Sequence, residues 1–309
     1  MLMFNAIAGT NHRVSDQVWS AVESLPDMQE EQEVDRRAYA LAMSYLVRQE
    51  GISMELLERH LSPPLVGRKL ALRSAIYEQL LRSAQSAQSM PNVIGGSLGG
   101  IEKLSAILFG FDPAAVAKIY PRSEEGCVSL FNDIREQLSP RGKLNYNPRS
   151  LWNRFCRTVT SGAAFLASFP DAQAFYRWAE TFDAVEDRRV QLAKMIAQQV
   201  DGIGFALACD FLKEVGFTNF SKPDVHIKDI FSQLGLSQSK DDVEIFKAVG
   251  RVARNVGVTP YEVDQLFWLV GSGDLYLAGL RLRNSKTEFI AFACREGCCV
   301  TAANTVSST

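Results

Sequence analysis

Two glycines and a downstream aspartate are the residues of this sequence whose spacing indicates chemistry most clearly. Gly202-Ile203-Gly204 interrupts an apolar helical stretch, and Asp224 follows Gly204 by twenty residues. Glycine allows positive φ and adds no side chain, so the backbone can turn tightly there. The helix that starts after such a turn has amide N–H groups without internal partners, and these attract an anion such as phosphate. A corner that needs glycine only for close packing explains the turn equally well.

Helical spacing of apolar residues runs through nearly all of the chain and predicts an all-α protein. The segments on either side of the glycines are DRRVQLAKMIAQQV and FALACDFLKEVG, and each carries its apolar residues on one helical face. Together they predict two helices joined by a tight hairpin. Further helices are predicted in QEEQEVDRRAYALAMSYLVRQEG, LALRSAIYEQLLRSAQSAQ, GIEKLSAILFGF, DPAAVAKIYP, SLWNRFCRTVTSGAAFLASF and DAQAFYRWAETF.

Composition describes a globular chain that can bury a core. Of its 309 residues 47% are hydrophobic and 22% charged, and no apolar run approaches the roughly 18 residues of a membrane span. The start lacks the basic region of a signal peptide, and the six cysteines contain no Cys-x-x-Cys pair, so we expect a cytoplasmic protein with reduced thiols.

The net charge of −2 does not indicate a nucleic-acid partner. The segment 135–157 nevertheless carries six basic residues against Glu136; a solvated helix face is the favoured explanation on charge alone, and phosphate binding is the other.

The hairpin VDGIGFALACDFL and the later KPDVHIKDIF resemble the helix-hairpin-helix DNA glycosylase superfamily, which contains endonuclease III, adenine glycosylase and alkylbase glycosylases. The family's loop often reads Val-Asp-Thr-His, where this chain has Pro-Asp-Val-His. YEQLLRSAQSAQSMPNVIGG and TPYEVDQLFWLVG are further similar stretches, so the resemblance covers roughly 71–271. It implies two helical domains with a cleft between them. We expect 71–218 to form the domain with the hairpin, and 219–309 to pack with the N-terminal region 1–70.

The resemblance assigns the chemistry to Asp224. Cleavage of an N-glycosidic bond builds positive charge on the sugar, which a nearby carboxylate stabilises while it orients or deprotonates water. The base would be flipped out of double-stranded DNA into the cleft. Capping the next helix is the alternative role of Asp224. The predicted DNA contacts are Gly202, Ile203, Gly204, Ala206, Lys222, His226, Gln85 and Gln88, of which the two glutamines would fill the gap left by the base. A structural role is the alternative for His226 and for both glutamines.

Two departures from the family refine the expectation. Bifunctional members carry a lysine two residues after the second hairpin glycine, where this chain has Ala206; the amine that would form a Schiff base is absent there. Simple hydrolysis that leaves an abasic site is therefore expected. Near the end only Cys294, Cys298 and Cys299 occur, one short of the four cysteines of an iron–sulfur site, so we expect no cluster. The family does admit a monovalent cation at the hairpin carbonyls, and no other cofactor is expected.

Three functions fit the sequence. The favoured one is a monofunctional DNA glycosylase, acting as a monomer on a lesion or on a modified base of phage DNA. The alternatives are a helix-hairpin-helix DNA-binding module without activity, and a helical scaffold protein whose hairpin only packs.

Overall fold

The computed structural model of the protein describes residues 11–63, 69–87 and 90–299, with side chains described from residue 29 onward. Helices make up most of this length, which confirms the all-α class. Within the described ranges, no helix combines the length and the apolar character that crossing a membrane requires.

The helices follow one another with short connections. In chain order they are α1 (Asn11–Val47), α2 (Met54–Leu61), α3 (Arg73–Gln85), α4 (Gly96–Leu98), α5 (Pro113–Ile119), α6 (Glu124–Asp133), α7 (Leu151–Ala167), α8 (Ala172–Asp183), α9 (Glu186–Gln199), α10 (Phe205–Glu214), α11 (Val225–Gln233), α12 (Asp242–Val256), α13 (Pro260–Ser272) and α14 (Ser285–Arg295). Two π turns lie at Pro91–Gly95 and Ile134–Leu138. Strands β1 (Asp274–Leu275) and β2 (Leu280–Arg281) form a small antiparallel hairpin between α13 and α14.

Buried apolar side chains form two separate clusters. The first cluster is built mainly by α3 and the helices from α5 to α10, and it includes Phe155, Phe175 and Phe211. The second is built by α1, α2 and the helices from α11 to α14, and it includes Leu46 and Phe267. The N-terminal helices therefore pack with the C-terminal ones. The division of the chain into domains at 70 and 218 stays a prediction.

A buried carboxylate fixes α1 against α12. Asp35 is fully buried and accepts two hydrogen bonds of 3.0 Å from the Arg251 guanidinium and one of 2.8 Å from Asn255. A bidentate arginine is the partner that best offsets the cost of removing a carboxylate from water. The second cluster is thus closed by residues more than two hundred positions apart.

Two local expectations were wrong. The stretch GIEKLSAILFGF is not one helix but two 3₁₀ turns, Ile101–Ala106 and Phe109–Phe111, because Gly100 and Gly110 take positive φ values of 124° and 66°. At the other end, Cys294 and Cys299 form a disulfide, so the expectation of reduced thiols fails for this pair. Gly297, at a φ of 75°, turns the chain back toward α14 and brings the two sulfurs together.

Candidate functional site

The backbone conformation of the hairpin between α9 and α10 requires glycine at one of its two glycine positions and not at the other. Gly202 has a φ of 81°, and a Cβ at this position would lie 2.5 Å from Thr158 Oγ1. Gly204 is extended, with a φ of −92°, and a Cβ there would meet nothing within 4 Å. Positive φ therefore explains Gly202 alone. The open space outside Gly204 leaves the backbone accessible to a ligand.

Three polar residues of α7 hold the hairpin from below. Arg154 donates to the Gly202 carbonyl at 2.8 Å, Thr158 donates to the Asp201 carbonyl at 2.7 Å, and Ser161 Oγ accepts from the Asp201 amide at 2.9 Å. Their spacing of four and three residues places them on one side of the helix. Both carbonyls thus accept hydrogen bonds from the protein itself, and a monovalent cation at the hairpin stays a prediction.

The N-terminus of α10 is exposed at Gly204. Gly204 is the N-cap residue, and no side chain caps the helix there. Ile203 is 4% exposed and packs into the first cluster, as expected for the residue that anchors the turn. The hairpin therefore combines a rigid base with uncapped N–H groups, the arrangement that suits a phosphate.

A cavity of about 620 Å³ lies where the two apolar clusters meet. Its walls come from α2 and α13 of the second cluster and from α3 and α10 of the first. This volume is in the range of small-molecule sites. The lining includes Arg59, Ser62, Gln79, Arg82, Ser83, Ser86, Asp210, Lys213, Glu214, Lys222, Tyr261, Asp264, Gln265, Trp268, Tyr276 and Leu277.

Charged side chains form the inner wall of this cavity. Lys213 Nζ donates to Asp264 Oδ2 at 2.6 Å and lies 3.7 Å from Glu214 and 3.9 Å from Asp210. Burial alone would lower the pKa of Lys213, but these carboxylates raise it above its ordinary value, so the ammonium stays charged. Burial raises the pKa of Asp264, and Lys213 opposes that shift. One buried cation is therefore shared among three carboxylates.

Asp264 also holds the loop that carries Asp224. Its Oδ1 accepts from the Lys222 amide at 3.2 Å, and the Lys222 carbonyl accepts from the Asp224 amide at 2.8 Å. Asp224 lies close enough for its charge to raise the pKa of Asp264, although it is not part of the cavity wall. The ion pair and the aspartate loop thus form one connected unit.

Asp224 is the N-cap residue of α11. Its Oδ1 accepts from the amides of His226 at 2.9 Å and Ile227 at 3.1 Å. Its Oδ2 accepts no hydrogen bond from the residues that the structure describes. The capping role considered for Asp224 is therefore present, and the second oxygen remains available for another partner.

The remaining predicted contacts near the cavity differ in their placement. Ala206 lies one helical turn before Asp210, on the same side of α10. Lys222 lines the cavity, and its Nζ donates to Ser86 Oγ at 3.0 Å and lies 3.5 Å from Asp210. The His226 side chain lies against Gly271, where a Cβ would approach it to 2.5 Å, so it makes a close packing contact with α13.

The two glutamines lie at the end of α3. Gln85 turns its Oε1 inward, where a Cβ on Gly95 would approach it to 2.6 Å, and this oxygen has no hydrogen-bond partner within the described part of the chain. Gln88 lies outside the described residues. The neighbouring Ser83 and Ser86 do line the cavity, although the sequence did not single them out. A role of the glutamines in filling the DNA stack stays a prediction.

The sequence predicted Lys222 as a site residue, but the buried pair of Lys213 and Asp264 was missed because the two partners are distant in sequence. Lys213 and Asp264 are 51 positions apart. A usable signal was present, since each is a charged residue next to an apolar one on a helix rich in apolar residues. As for metals, the described residues contain no group of three or more His, Cys, Asp or Glu side chains that could hold an ion.

A distant similarity connects part of this chain to a DNA glycosylase. The chain is 26% identical over 101 residues to a protein of Korarchaeum cryptofilum named 8-oxoguanine DNA glycosylase/AP lyase. The match covers 30% of this chain and 48% of the relative, so it spans about half of the relative's length. No family model matches the chain, and no solved structure matches it significantly. The similarity supports a relationship to DNA glycosylases.

The buried pair of Lys213 and Asp264 gives a prediction on stability. Lys213→Met should lower the free energy of unfolding by about 3–5 kcal/mol, because it leaves the buried carboxylate of Asp264 without its cation. Asp264→Asn should cost less, because Asp210 and Glu214 still lie 3.9 Å and 3.7 Å from the Lys213 ammonium. The double variant should lose clearly less than the sum, as urea denaturation will measure. The exposed pair of Lys69 and Glu180 is the control, with an expected coupling below about 1 kcal/mol. Additive losses within about 0.5 kcal/mol would show that the buried pair is not coupled.

Proposed function

We propose that the protein is a monofunctional DNA glycosylase that hydrolyses the N-glycosidic bond of a base flipped out of double-stranded DNA. The observation that carries this proposal is the hydrogen-bonded connection of the Asp224 loop to Asp264, in the wall of a cavity that also includes α10, the helix that begins at the hairpin. This arrangement supports a proposal in which the hairpin binds the DNA backbone, the cavity receives the base and Asp224 supplies the carboxylate. The similarity to a protein named as a DNA glycosylase agrees with this assignment.

The carboxylate of Asp224 is arranged to serve two purposes. Oδ1 is fixed by the amides of His226 and Ile227, which sets the orientation of the group. In the proposed reaction Oδ2 faces the sugar and stabilises the positive charge that develops as the base leaves. The same oxygen accepts a proton from the attacking water, a contribution of about 10²–10⁴-fold.

The cavity contains groups that could stack on the faces of a base and groups that could hydrogen-bond to its edges. Tyr261, Trp268 and Tyr276 supply aromatic surface on the α13 side, and stacking on aromatic rings is worth about 1–3 kcal/mol per base. Asp210 and Lys222 supply an acceptor and a donor to the same lining. Enzymes that act on flipped bases commonly read them by this combination of stacking and hydrogen bonding.

Hydrolysis without strand cleavage follows from Ala206. A methyl group has no lone pair with which to attack the sugar, so the Schiff-base route of lyases is not open at this position. The relative from Korarchaeum is named as an AP lyase, and the proposed mechanism differs from that name in this respect. Its other named activity makes 8-oxoguanine the first base to test, with other lesions and modified phage bases after it.

The first prediction is that Asp224→Asn keeps the fold and DNA binding but loses base release. Asparagine caps a helix as well as aspartate does, so α11 should be unaffected while the negative charge is removed. Base release under single-turnover conditions, with folding followed by circular dichroism, measures the effect.

The matched variant Asp224→Ala separates capping from catalysis. It should lose activity in the same way and also lose about 1 kcal/mol of stability with the cap. If Asp224→Asn turns over like the wild type, the carboxylate is only a cap, and an inactive DNA-binding module becomes the better description.

A second prediction concerns the product. Borohydride reduction during the reaction should trap no protein–DNA adduct with the wild type, because position 206 lacks an amine. Ala206→Lys places an amine one turn from Asp210 and should yield a trapped adduct. An adduct of the wild type that disappears in Lys222→Met would move the nucleophile to Lys222 and refute monofunctional hydrolysis.

A third prediction tests the hairpin as a phosphate site. Gly204→Asp should weaken duplex binding at least tenfold, or about 1.4 kcal/mol, because it sets a negative charge beside the uncapped amides. Its melting temperature should change little, since position 204 is extended and open. Ile203→Ala is the control and should mainly lower the free energy of unfolding, by about 2–5 kcal/mol, because its side chain is buried. A folded Gly204→Asp that binds DNA like the wild type, measured by anisotropy, would make the hairpin a packing corner.

A further inference from the structure

The hairpin is bordered by arginines from a different part of the chain. A depression of about 280 Å³ is lined by Gly202 and by seven residues between 148 and 157, among them Arg149, Arg154 and Arg157. We call these three residues the arginine patch. Arg154 joins the patch to the hairpin directly, because its guanidinium donates to the Gly202 carbonyl at 2.8 Å. The hairpin and the patch therefore form one continuous surface.

The segment around the patch is depleted of negative charge. From 137 to 170 the chain contains no acidic residue, whereas it contains five basic ones. Arg141 and Lys143, two of these five, are exposed on the loop that leads into α7. This depletion is local, because the whole chain has a net charge of −2. A solvated helix face would not require such a one-sided composition.

The individual cations differ in how far the protein neutralises them. Arg157 pairs with Glu124, and Arg154 is engaged with the hairpin. Arg149 and Lys143 are exposed and form no ion pair with the residues that the structure describes. These two side chains are therefore available to an external partner.

We propose that the arginine patch, extended by Lys143, is a second binding site for the DNA backbone next to the hairpin. The inference rests on the proposed function, since it assigns a further surface to the same duplex. DNA fits the surface because phosphates recur along each strand, so a duplex held at the hairpin presents further anions to neighbouring cations. Arginine binds phosphate in a bidentate manner and positions a duplex without reading its sequence.

The salt dependence of DNA binding tests this site. Each lost phosphate contact should reduce the slope of log K against log salt by about 0.9. We expect Arg149→Gln to reduce the slope by about that amount, and the double variant Arg149→Gln/Lys143→Gln by about twice as much. The measurement uses the full chain and a duplex with a tetrahydrofuran abasic analogue. Arg295→Gln is the charge-matched control on α14, which packs on α1, α11 and α13 away from α7, and its slope should equal that of the wild type.

The outcomes separate this inference from the proposed function. If the wild type releases a base and binds the duplex while Arg149→Gln and the double variant leave the slope unchanged, the patch assignment is wrong and the glycosylase proposal stands. If the wild type has no measurable affinity for the duplex, both fail. If the variants lose affinity for poly-glutamate but keep their full DNA slope, the patch binds an acidic protein segment, and the DNA assignment is overturned.

Discussion

The hydrogen-bonded ion pair of Lys213 and Asp264 is the contact on which the arrangement of the site depends. Lys213 belongs to α10, which packs in the first apolar cluster, and Asp264 belongs to α13, which packs in the second. Removing either charge from water is costly unless the other is in place, so the pair fixes one helix against the other at this point. The second oxygen of Asp264 holds the backbone of Lys222 and thereby the loop that carries Asp224. The relative positions of the hairpin, the cavity wall and the Asp224 carboxylate therefore depend on this one buried contact.

Local patterns in the sequence predicted the parts of this arrangement that local physics determines. The all-α class follows from apolar residues at helical spacing, and the turn at Gly202 follows from a residue that tolerates positive φ. Helix capping was one of the two roles considered for Asp224, because an aspartate before a helical segment commonly accepts hydrogen bonds from the first amides of the helix. Such features depend on a few residues that are neighbours in the sequence, so they can be predicted from it.

Contacts between segments that are distant in sequence could not be predicted from these local patterns. The support of the hairpin by Arg154, Thr158 and Ser161 requires α7 to lie beneath it, and no pattern within α7 indicates this neighbour. The inward turn of Gln85 toward Gly95 and the pairing of Cys294 with Cys299 likewise depend on how chain segments return toward one another. The helix wrongly predicted for GIEKLSAILFGF, which forms two 3₁₀ turns, shows that a helical pattern can be broken by glycines at positive φ.

The N-terminal region, which lies outside the family resemblance, contributes to the cavity itself. α2 supplies Arg59 and its C-cap residue Ser62 to the lining, and Asp35 fixes α1 on α12. The shape of the cavity thus depends on residues that the resemblance does not cover. Under the proposed function, the choice of base is therefore set partly by this region.

The central claim is that the protein releases a base from DNA by hydrolysis. The most direct measurement incubates the purified chain with duplexes that contain 8-oxoguanine, uracil, N7-methylguanine, 5-hydroxymethylcytosine or glycosylated bases, and identifies the released compounds by mass. The account predicts a free base from at least one duplex, with the strand intact and carrying an abasic site. Tight binding to these duplexes without release of any base would contradict it and would leave a DNA-binding module in its place.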